Sequence, residues 1–136
     1  MSRVLLLVLC VVALVGCGDS ADDPLAEGRS IYGDVCSACH GAGGQGGVGP
    51  ALSSVLDTWP DCDGHMEWIR LGSDGWKAEH GDTYGATGRA VSGGMPPQAD
   101  SLTAAEIAAV AAFERVRYGG GDRDAVLADC GLIDSG

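Results

Sequence analysis

The sequence predicts an all-α domain. Its two clearest segments, residues 24–35 and 104–118, carry the start signals of helices, and the second also carries an apolar stripe. The other stretches are typical of short helical pieces and glycine-rich loops, since 23 of the 136 residues are glycine. With one phenylalanine, three tyrosines and three tryptophans, the chain is poor in large core residues. The composition therefore favours an interior that a bound apolar group helps to fill.

Residues 1–16 indicate an export signal that is not part of the fold. A basic start precedes the apolar run Val4–Val15, which is short for a membrane-spanning helix. The run ends in the sequence LVGC, which resembles a lipobox, a motif whose cysteine receives lipid before the signal is removed. This pattern predicts a lipid anchor on Cys17 and a polar linker over residues 17–23. An ordinary secretory signal, with Cys17 uninvolved, is the alternative.

The mature chain is strongly acidic, and this restricts the kinds of partner that it can bind. Cys17–Gly136 comprises 120 residues, a length that suits one domain, and carries 19 acidic residues against seven basic ones. So acidic a chain is not expected to bind nucleic acid, and a redox partner that docks by electrostatics would present a basic patch. With a lipidated Cys17, the protein is expected on the outer side of a bacterial cytoplasmic membrane or on the periplasmic face of the envelope.

A C-x-x-C-H motif stands at residues 36–40. Two cysteines three positions apart, Cys36 and Cys39, followed at once by His40, form the attachment signature of c-type haem. Each thiol can add to one vinyl group of the porphyrin, and the adjacent imidazole can then bind the iron. Zinc sites and dithiol redox sites also use C-x-x-C, so such a module is an alternative. The motif occurs once and no repeat is visible, which predicts a single haem.

Local signals place the elements of the first half. Asp23 suits a helix cap and Pro24 a first helical position, so the first helix is expected from Pro24 to about Val35. Residues 41–49 are mostly glycine and are expected to form a loop. A weak helical piece is expected after Pro50, over residues 51–56.

The best-defined helix lies in the second half. A short helix is expected over residues 65–71, and Gly72 is expected to end it, with loops beyond. Thr103 and Glu106 have the spacing of a capping box at the start of helix 104–118, and a run of three glycines stops that helix.

Two cysteines remain once the signal, the lipid site and the C-x-x-C-H motif are assigned. They are Cys62 and Cys130. In an oxidising compartment such a pair is typical of a disulfide, which would pin the tail, residues 119–136, back onto the domain. Two unrelated thiols are the alternative.

Taken together, these motifs make the chain similar to the small class I monohaem cytochromes c. The resemblance covers residues 24–118. It rests on the first helix, the C-x-x-C-H motif, Gly49-Pro50, Gly94-Met95-Pro96-Pro97 and the capped last helix. It implies a small cytochrome c fold whose N- and C-terminal helices cross around a covalently bound haem, with Gly28 and Phe113 at their contact. Residues 57–90 and the tail depart from the minimal pattern of that family.

The resemblance implies that two axial ligands hold the iron of one covalent haem c. His40 would be the proximal ligand, with its other ring nitrogen bonded to the carbonyl of Pro50. Met95 would be the distal ligand, because it follows glycines that allow close approach and precedes prolines that stiffen the loop. A Met95 that only fills a gap in the core is the alternative. Three other side chains compete for the distal position: Met66, His65 and His80.

The haem propionates would need hydrogen-bond donors at the edge of the site. Arg89 is the preferred candidate, because a guanidinium group binds carboxylates well. The indole groups of Trp59 and Trp76 are further candidates, as in similar cytochromes. A solvated surface position is the alternative for Arg89.

The resemblance further implies an electron carrier rather than an enzyme. With His40 and Met95 both on the iron, no open position would remain for a small-molecule substrate. The implied protein is a membrane-tethered monohaem cytochrome c that passes single electrons between respiratory-chain partners, from a quinol-oxidising complex to a terminal oxidase. The alternatives are a haem subunit of a dehydrogenase or reductase complex and a five-coordinate haem catalyst or gas sensor.

Overall fold

The computed structural model describes residues 23–134. The expected export signal, residues 1–16, and the expected lipid site, Cys17, lie outside these residues. Helices supply nearly all the regular structure of the described part, which confirms the all-α class. The helical elements are α1 (Pro24–Ile31), a π-helical turn (Tyr32–Cys36), α2 (Ser37–His40), α3 (Val55–Thr58), α4 (Cys62–His80), α5 (Ala104–Arg117) and α6 (Arg123–Asp129). A short antiparallel hairpin joins β1 (Thr83–Tyr84) to β2 (Arg89–Ala90).

Helices α1 and α5 pack directly against each other, as the resemblance implies for the first and last helices. Asp23 caps α1 by accepting a hydrogen bond from the backbone N–H of Leu25 at 3.0 Å. At the contact, a Cβ on Gly28 would overlap the carbonyl oxygen of Ala109 and lie 2.8 Å from Cβ of Phe113. The glycine therefore lets the two backbones approach, and the predicted contact between Gly28 and Phe113 is confirmed.

The first helical stretch continues further than the expected end near Val35. The π-helical turn follows α1 without a break, and α2 carries the chain on to His40. A π turn inserts one residue into the helical repeat, so it rotates the residues that follow relative to α1. Tyr32 fixes this turn, because its ring lies 4.9 Å from that of Tyr118 and its hydroxyl donates to the carbonyl of Gly41 at 2.6 Å.

The expectation that loops follow Gly72 is wrong, because α4 runs from Cys62 to His80 with a kink at that glycine. Gly72 has φ 64° and ψ −175°, so it does interrupt the helical backbone as predicted. Helical structure then resumes and continues to His80. Both halves of α4 pack into the interior, the first through Ile69 and the second through Trp76. Helix α3 also departs from expectation, because it lies at Val55–Thr58 rather than over residues 51–56.

Helix α5 begins at the predicted residue with the predicted cap, and it ends at Arg117, one residue before the predicted end. The side chain of Thr103 accepts from the backbone N–H of Glu106, and that carboxylate in turn accepts from the backbone N–H of Thr103 at 2.8 Å. Every residue from Ile107 to Arg115 is buried, so α5 forms the central helix of the described part.

Arg115 has a structural role that its place in the last turn of α5 did not suggest. It is buried, and its guanidinium donates to the carbonyls of Trp59, Pro60 and Asp61 at 2.7–3.1 Å and to the carboxylate of Asp129 at 3.2 Å. Burial lowers the pKa of this group, and the two neighbouring carboxylates partly oppose that effect. Arg115 therefore fastens the connection before α4 and the end of α6 onto the central helix.

The tail folds back onto the domain beside α4. In the structure the sulfur atoms of Cys62 and Cys130 are bonded, and their Cα atoms are 5.2 Å apart. The backbone N–H of Cys62 also donates to the carboxylate of Asp129 at 2.8 Å, and Leu127 is buried in the same core. Within residues 23–134, no helix combines the length and the apolar character that a membrane crossing requires.

The helix contact at Gly28 generates a prediction about stability. Gly28→Ala should lower the free energy of unfolding by about 1–3 kcal/mol, because the added methyl group meets the backbone of α5. Gly33→Ala is the matched control, since its Cβ would have no atom within 4 Å and alanine favours helix over glycine. Denaturant unfolding of the haem-loaded protein measures both. Equal stability of the two variants would contradict this account of the contact.

Candidate functional site

A deep cleft opens between the C-x-x-C-H motif, α4, α5 and the loop before Gln98. It contains about 1220 Å³ of space without protein atoms, including its open mouth. Its walls bring together the residues that the sequence assigned to one site: Cys36, Cys39, His40, Pro50, Arg89 and Met95. These residues are spread over sixty positions of the chain, so the fold, rather than local sequence, assembles them.

His40 is held by a hydrogen bond to the loop that follows it. Its Nδ1 lies 2.9 Å from the carbonyl oxygen of Pro50, the acceptor that the resemblance implies. Since a carbonyl oxygen can only accept, Nδ1 carries the proton and Nε2 keeps its lone pair. A Cβ on Gly49 would lie 2.9 Å from Cε1 of the imidazole, so glycine is required for this close approach. The ring is thereby oriented as a metal ligand needs to be.

The two cysteines of the motif both line the cleft. Cys36 is half-buried and Cys39 is exposed. Burial, together with the nearby carboxylate of Glu114, raises the pKa of the Cys36 thiol to about 12. Reactive dithiol cysteines instead occupy environments that lower the thiol pKa. The surroundings of Cys36 therefore disfavour the dithiol alternative.

Met95 lies in the cleft wall, and α4 holds its backbone on both sides. Its N–H donates to Oγ of Ser73 at 3.0 Å, and its carbonyl accepts from the N–H of Ser73 at 2.9 Å. Sequence reasoning missed Ser73, because the stretch after Gly72 was expected to be loop. A serine directly after a glycine within an apolar helical pattern is a weak signal.

The competitors for the distal position separate by location. Met66 packs against the main core and does not line the cleft. His80 is exposed, 3.6 Å from the carboxylate of Glu67, and also lies outside the cleft. His65 does line the cleft, but its Nε2 lies 3.1 Å from Oε2 of Glu114. The structure thus places Met95 and His65, but neither Met66 nor His80, at the cleft.

The pair of His65 and Glu114 is the main feature of the site that sequence reasoning missed. Both side chains are buried, with about 3% and 5% exposure, and Nδ1 of His65 has no hydrogen-bond partner among the described residues. The imidazole also stacks on the ring of Trp59. Glu114 lies four residues after Val110 and seven after Ile107, both buried, so its helical spacing carried a readable signal.

The aromatic and basic candidates for the propionates divide in a similar way. Trp59 and Arg89 line the cleft, with Arg89 exposed on the hairpin. Trp76 does not line the cleft, and its indole N–H already donates to the carbonyl of Thr83 at 2.9 Å. The structure therefore contradicts the prediction of Trp76 as a propionate donor. Trp68 also lines the cleft, and it stacks on Tyr84 with 4.6 Å between ring centroids.

Comparison with known proteins agrees with this geometry. Residues 23–113, about two thirds of the chain, match the family described as cytochrome c oxidase, cbb3-type, subunit III. The chain belongs to this family. The matched range contains the C-x-x-C-H motif, the loop of Met95 and all but the last few residues of α5, and so every residue of the cleft wall except Glu114.

Two individual relatives and one solved structure are also similar to parts of the chain. Subunit CcoP of the cbb3-type cytochrome c oxidase of Azospirillum brasilense is 40% identical over 65 residues, and that of Azospirillum sp. (strain B510) is 37% identical. Each alignment covers 47% of this chain, and the chain spans about a fifth (21%) of those relatives. The crystal structure of cytochrome cL from Methylophaga aminisulfidivorans has 26% identity and a TM-score of 0.51, covering 73% of this chain and 58% of that one.

This member of the family is a cytochrome c electron-transfer domain, and its cofactor is covalently bound haem c. The residues of the cleft fit that group. Cys36 and Cys39 have the spacing for two thioether bonds, and His40 keeps an imidazole lone pair available. The walls of the cleft are mostly apolar, as a porphyrin requires. The expected class I cytochrome c resemblance and the expected haem c are confirmed.

The buried pair generates a prediction about stability. His65→Leu and Glu114→Leu should each lower the free energy of unfolding by about 3–5 kcal/mol, because each leaves the other polar group buried without its partner. The double variant should lose much less than the sum, since both polar groups are then removed. Glu114→Gln, which keeps an acceptor oxygen, is the control. Additive losses in denaturant unfolding would show that the two side chains do not depend on each other.

Proposed function

We propose that this domain is a membrane-tethered monohaem electron carrier whose iron is ligated by His40 and Met95. The observation that carries this proposal is that His40 and Met95 line the same cleft. The imidazole of His40 is held by a hydrogen bond, and the backbone of Met95 is held by Ser73. When bound, haem c supplies a one-electron Fe(III)/Fe(II) couple. The cysteines Cys36 and Cys39 would hold the group in the cleft through thioether bonds.

The protein's own residues would set the properties of that couple. The ring Nδ1–H of His40 donates to the carbonyl of Pro50, which strengthens the imidazole as a ligand and fixes its plane. As a ligand, the soft thioether of Met95 would favour the reduced state and so raise the reduction potential. Arg89, at the cleft edge, would offer its guanidinium to a propionate. If His40 and Met95 both held the iron, the domain would transfer electrons and have no small-molecule substrate.

The mouth of the cleft offers a surface for redox partners. Val48 is 93% exposed and Val35 is 36% exposed, and both line the cleft. Exposed apolar side chains beside a redox group allow close approach of a partner. The charge of the chain, −11 overall, complements a basic partner surface. A partner of this kind would reach the haem through an apolar contact at the mouth of the cleft.

We infer a terminal oxidase as the electron acceptor and a quinol-oxidising complex as the donor. The names of the two curated relatives, both subunits of a cbb3-type oxidase, support the first inference. Those names also favour the alternative of a fixed haem subunit in a larger complex over that of a free carrier. A partner that co-purifies in constant ratio at high salt would favour the subunit, whereas a free domain would favour the carrier.

We also propose that the chain is exported and anchored by lipid on Cys17. The LVGC sequence and the polar residues after it support the anchor. The bonded sulfur atoms of Cys62 and Cys130 fit an oxidising compartment, because disulfides persist there and are rare in the bacterial cytosol. The folded domain would lie close to the bilayer, on its outer or periplasmic side, since the linker over residues 17–23 is short.

Replacement of Met95 tests the proposed ligation. Met95→Ala should abolish the thioether-to-iron charge-transfer band of the oxidised protein, lower the reduction potential and let carbon monoxide bind the reduced form. The physical reason is that the soft distal ligand is lost and an axial position opens. Met66→Ala, a methionine outside the cleft, is the control and should keep the band. If the band persists in Met95→Ala, Met95 is not the ligand; rapid carbon monoxide binding to the unchanged protein would favour the five-coordinate sensor.

Replacement of Cys17 tests the anchor. Expressed with its own export signal, the unchanged protein should sediment with membranes and incorporate labelled fatty acid, because two or more acyl chains hold a protein stably on a bilayer. Cys17→Ser should release it into the soluble fraction or stop its processing, while Cys10→Ser should have no such effect. An unchanged protein that is soluble and unlabelled would identify residues 1–16 as an ordinary secretory signal.

A further inference from the structure

We propose that the kink of α4 at Gly72 and Ser73 is the device that positions Met95 in the cleft. This inference deepens the proposed function and rests on Met95 as the distal ligand. It makes Gly72 and Ser73 positioning residues, which act on the ligand only through the backbone of its loop. Three main observations support it. They are the helical carbonyl groups that the kink leaves free, the hydrogen bonds between Ser73 and Met95, and the lack of room for a side chain at Gly72.

The kink frees helical carbonyl groups, and the Met95 loop uses them. With Gly72 at φ 64° and ψ −175°, the regular helical hydrogen bonds cannot continue through this point of α4. The carbonyl of Ile69 instead accepts from the N–H of Gln98 at 3.1 Å, and that of Arg70 accepts from the N–H of Ala99 at 3.4 Å. The interrupted helix is thus completed by the loop rather than by its own next turn.

Ser73 holds Met95 from both sides of its backbone. Its N–H donates to the carbonyl of Met95 at 2.9 Å, and its Oγ accepts from the N–H of Met95 at 3.0 Å. Ser73 is 2% exposed, so water has little access to these bonds from its side. The amide and the carbonyl of the proposed ligand are therefore both fixed relative to α4.

The two prolines leave the loop no other donors with which to anchor itself. Pro96 and Pro97 have no backbone N–H, so the backbone donors over residues 95–98 are those of Met95 and Gln98 alone. Both donate to residues of α4 on either side of Gly72. The side chain of Gln98 also donates to the carbonyl of Pro96 at 3.1 Å, which stiffens the turn between them.

Gly72 makes this contact possible by having no side chain. A Cβ at this position would lie 2.5 Å from the carbonyl oxygen of Met95 and 2.5 Å from the nitrogen of Pro97. Its positive φ is also one that other residues rarely adopt. Any substitution should therefore push the loop away from α4 and with it the thioether of Met95.

Ser73→Ala is the decisive variant, because it removes one hydroxyl and adds no atoms. It leaves the partly buried N–H of Met95 without its acceptor, which should weaken the thioether–iron bond about fivefold to thirtyfold. Imidazole added to the oxidised protein competes with Met95 for the iron, so its apparent affinity should rise by the same factor. The charge-transfer band should weaken at lower imidazole concentrations than in the unchanged protein.

Two controls separate positioning from general loss of stability. Gly81→Ala places alanine at φ 95° at the end of the same helix, where a Cβ would have no atom within 4 Å. Gly72→Ala should raise imidazole affinity, whereas Gly81→Ala should not. Asp122→Ala removes the cap of α6, which accepts from the N–H of Ala125 at 3.0 Å, and should destabilise the fold without changing imidazole affinity.

The outcomes distinguish this inference from the proposed ligation. Raised imidazole affinity in Ser73→Ala, with neither control changed, supports the kink as the positioning device. Unchanged affinity in Ser73→Ala, in a protein whose charge-transfer band is abolished by Met95→Ala, overturns the inference and leaves the ligation intact. A band that survives Met95→Ala overturns the ligation, and the inference then fails with it.

Discussion

The close packing of α1 on α5 is the constraint on which the rest of the structure depends. Gly28 lets the two helix backbones touch, and the π-helical turn then carries the chain from that contact to Cys36 at the cleft. From the other side, α5 contributes Glu114 to the cleft and, through Arg115, holds the connection that leads into α4. The first helix and the central helix of the described part therefore form one packed pair, and residues from both sides of that pair reach the cleft.

The parts of the site that could be predicted from sequence are those whose chemistry dictates residue type and spacing. The reaction of two thiols with one porphyrin sets the positions of Cys36, Cys39 and His40, so the motif can be recognised without the fold. The cap at Thr103 was equally readable, because its hydrogen bonds are local. The contact between Gly28 and Phe113 came from the family resemblance and not from any local rule.

The parts that could not be predicted depend on partners distant in the chain. Gly72 carries a genuine local signal for the end of a helix, but backbone groups near Gln98 replace the hydrogen bonds lost at the kink, so α4 continues. Glu114 looks like a helix-surface residue until its place on the apolar stripe is considered, and its partner His65 lies 49 positions earlier. Arg115 is buried for a comparable reason, since its acceptors belong to residues 59–61 and to Asp129.

The tryptophans of the chain are gathered at one place, and this has an optical consequence. Trp59, Trp68 and Trp76 lie with ring centroids 5.2–5.8 Å apart, and the first two line the cleft. A porphyrin absorbs light at the wavelengths where indole emits, so haem c held in the cleft would take up the excitation energy of these rings. The tryptophan fluorescence of the native protein would therefore be weak and would rise as the chain unfolds, so the emission would report the distance between the tryptophans and the haem.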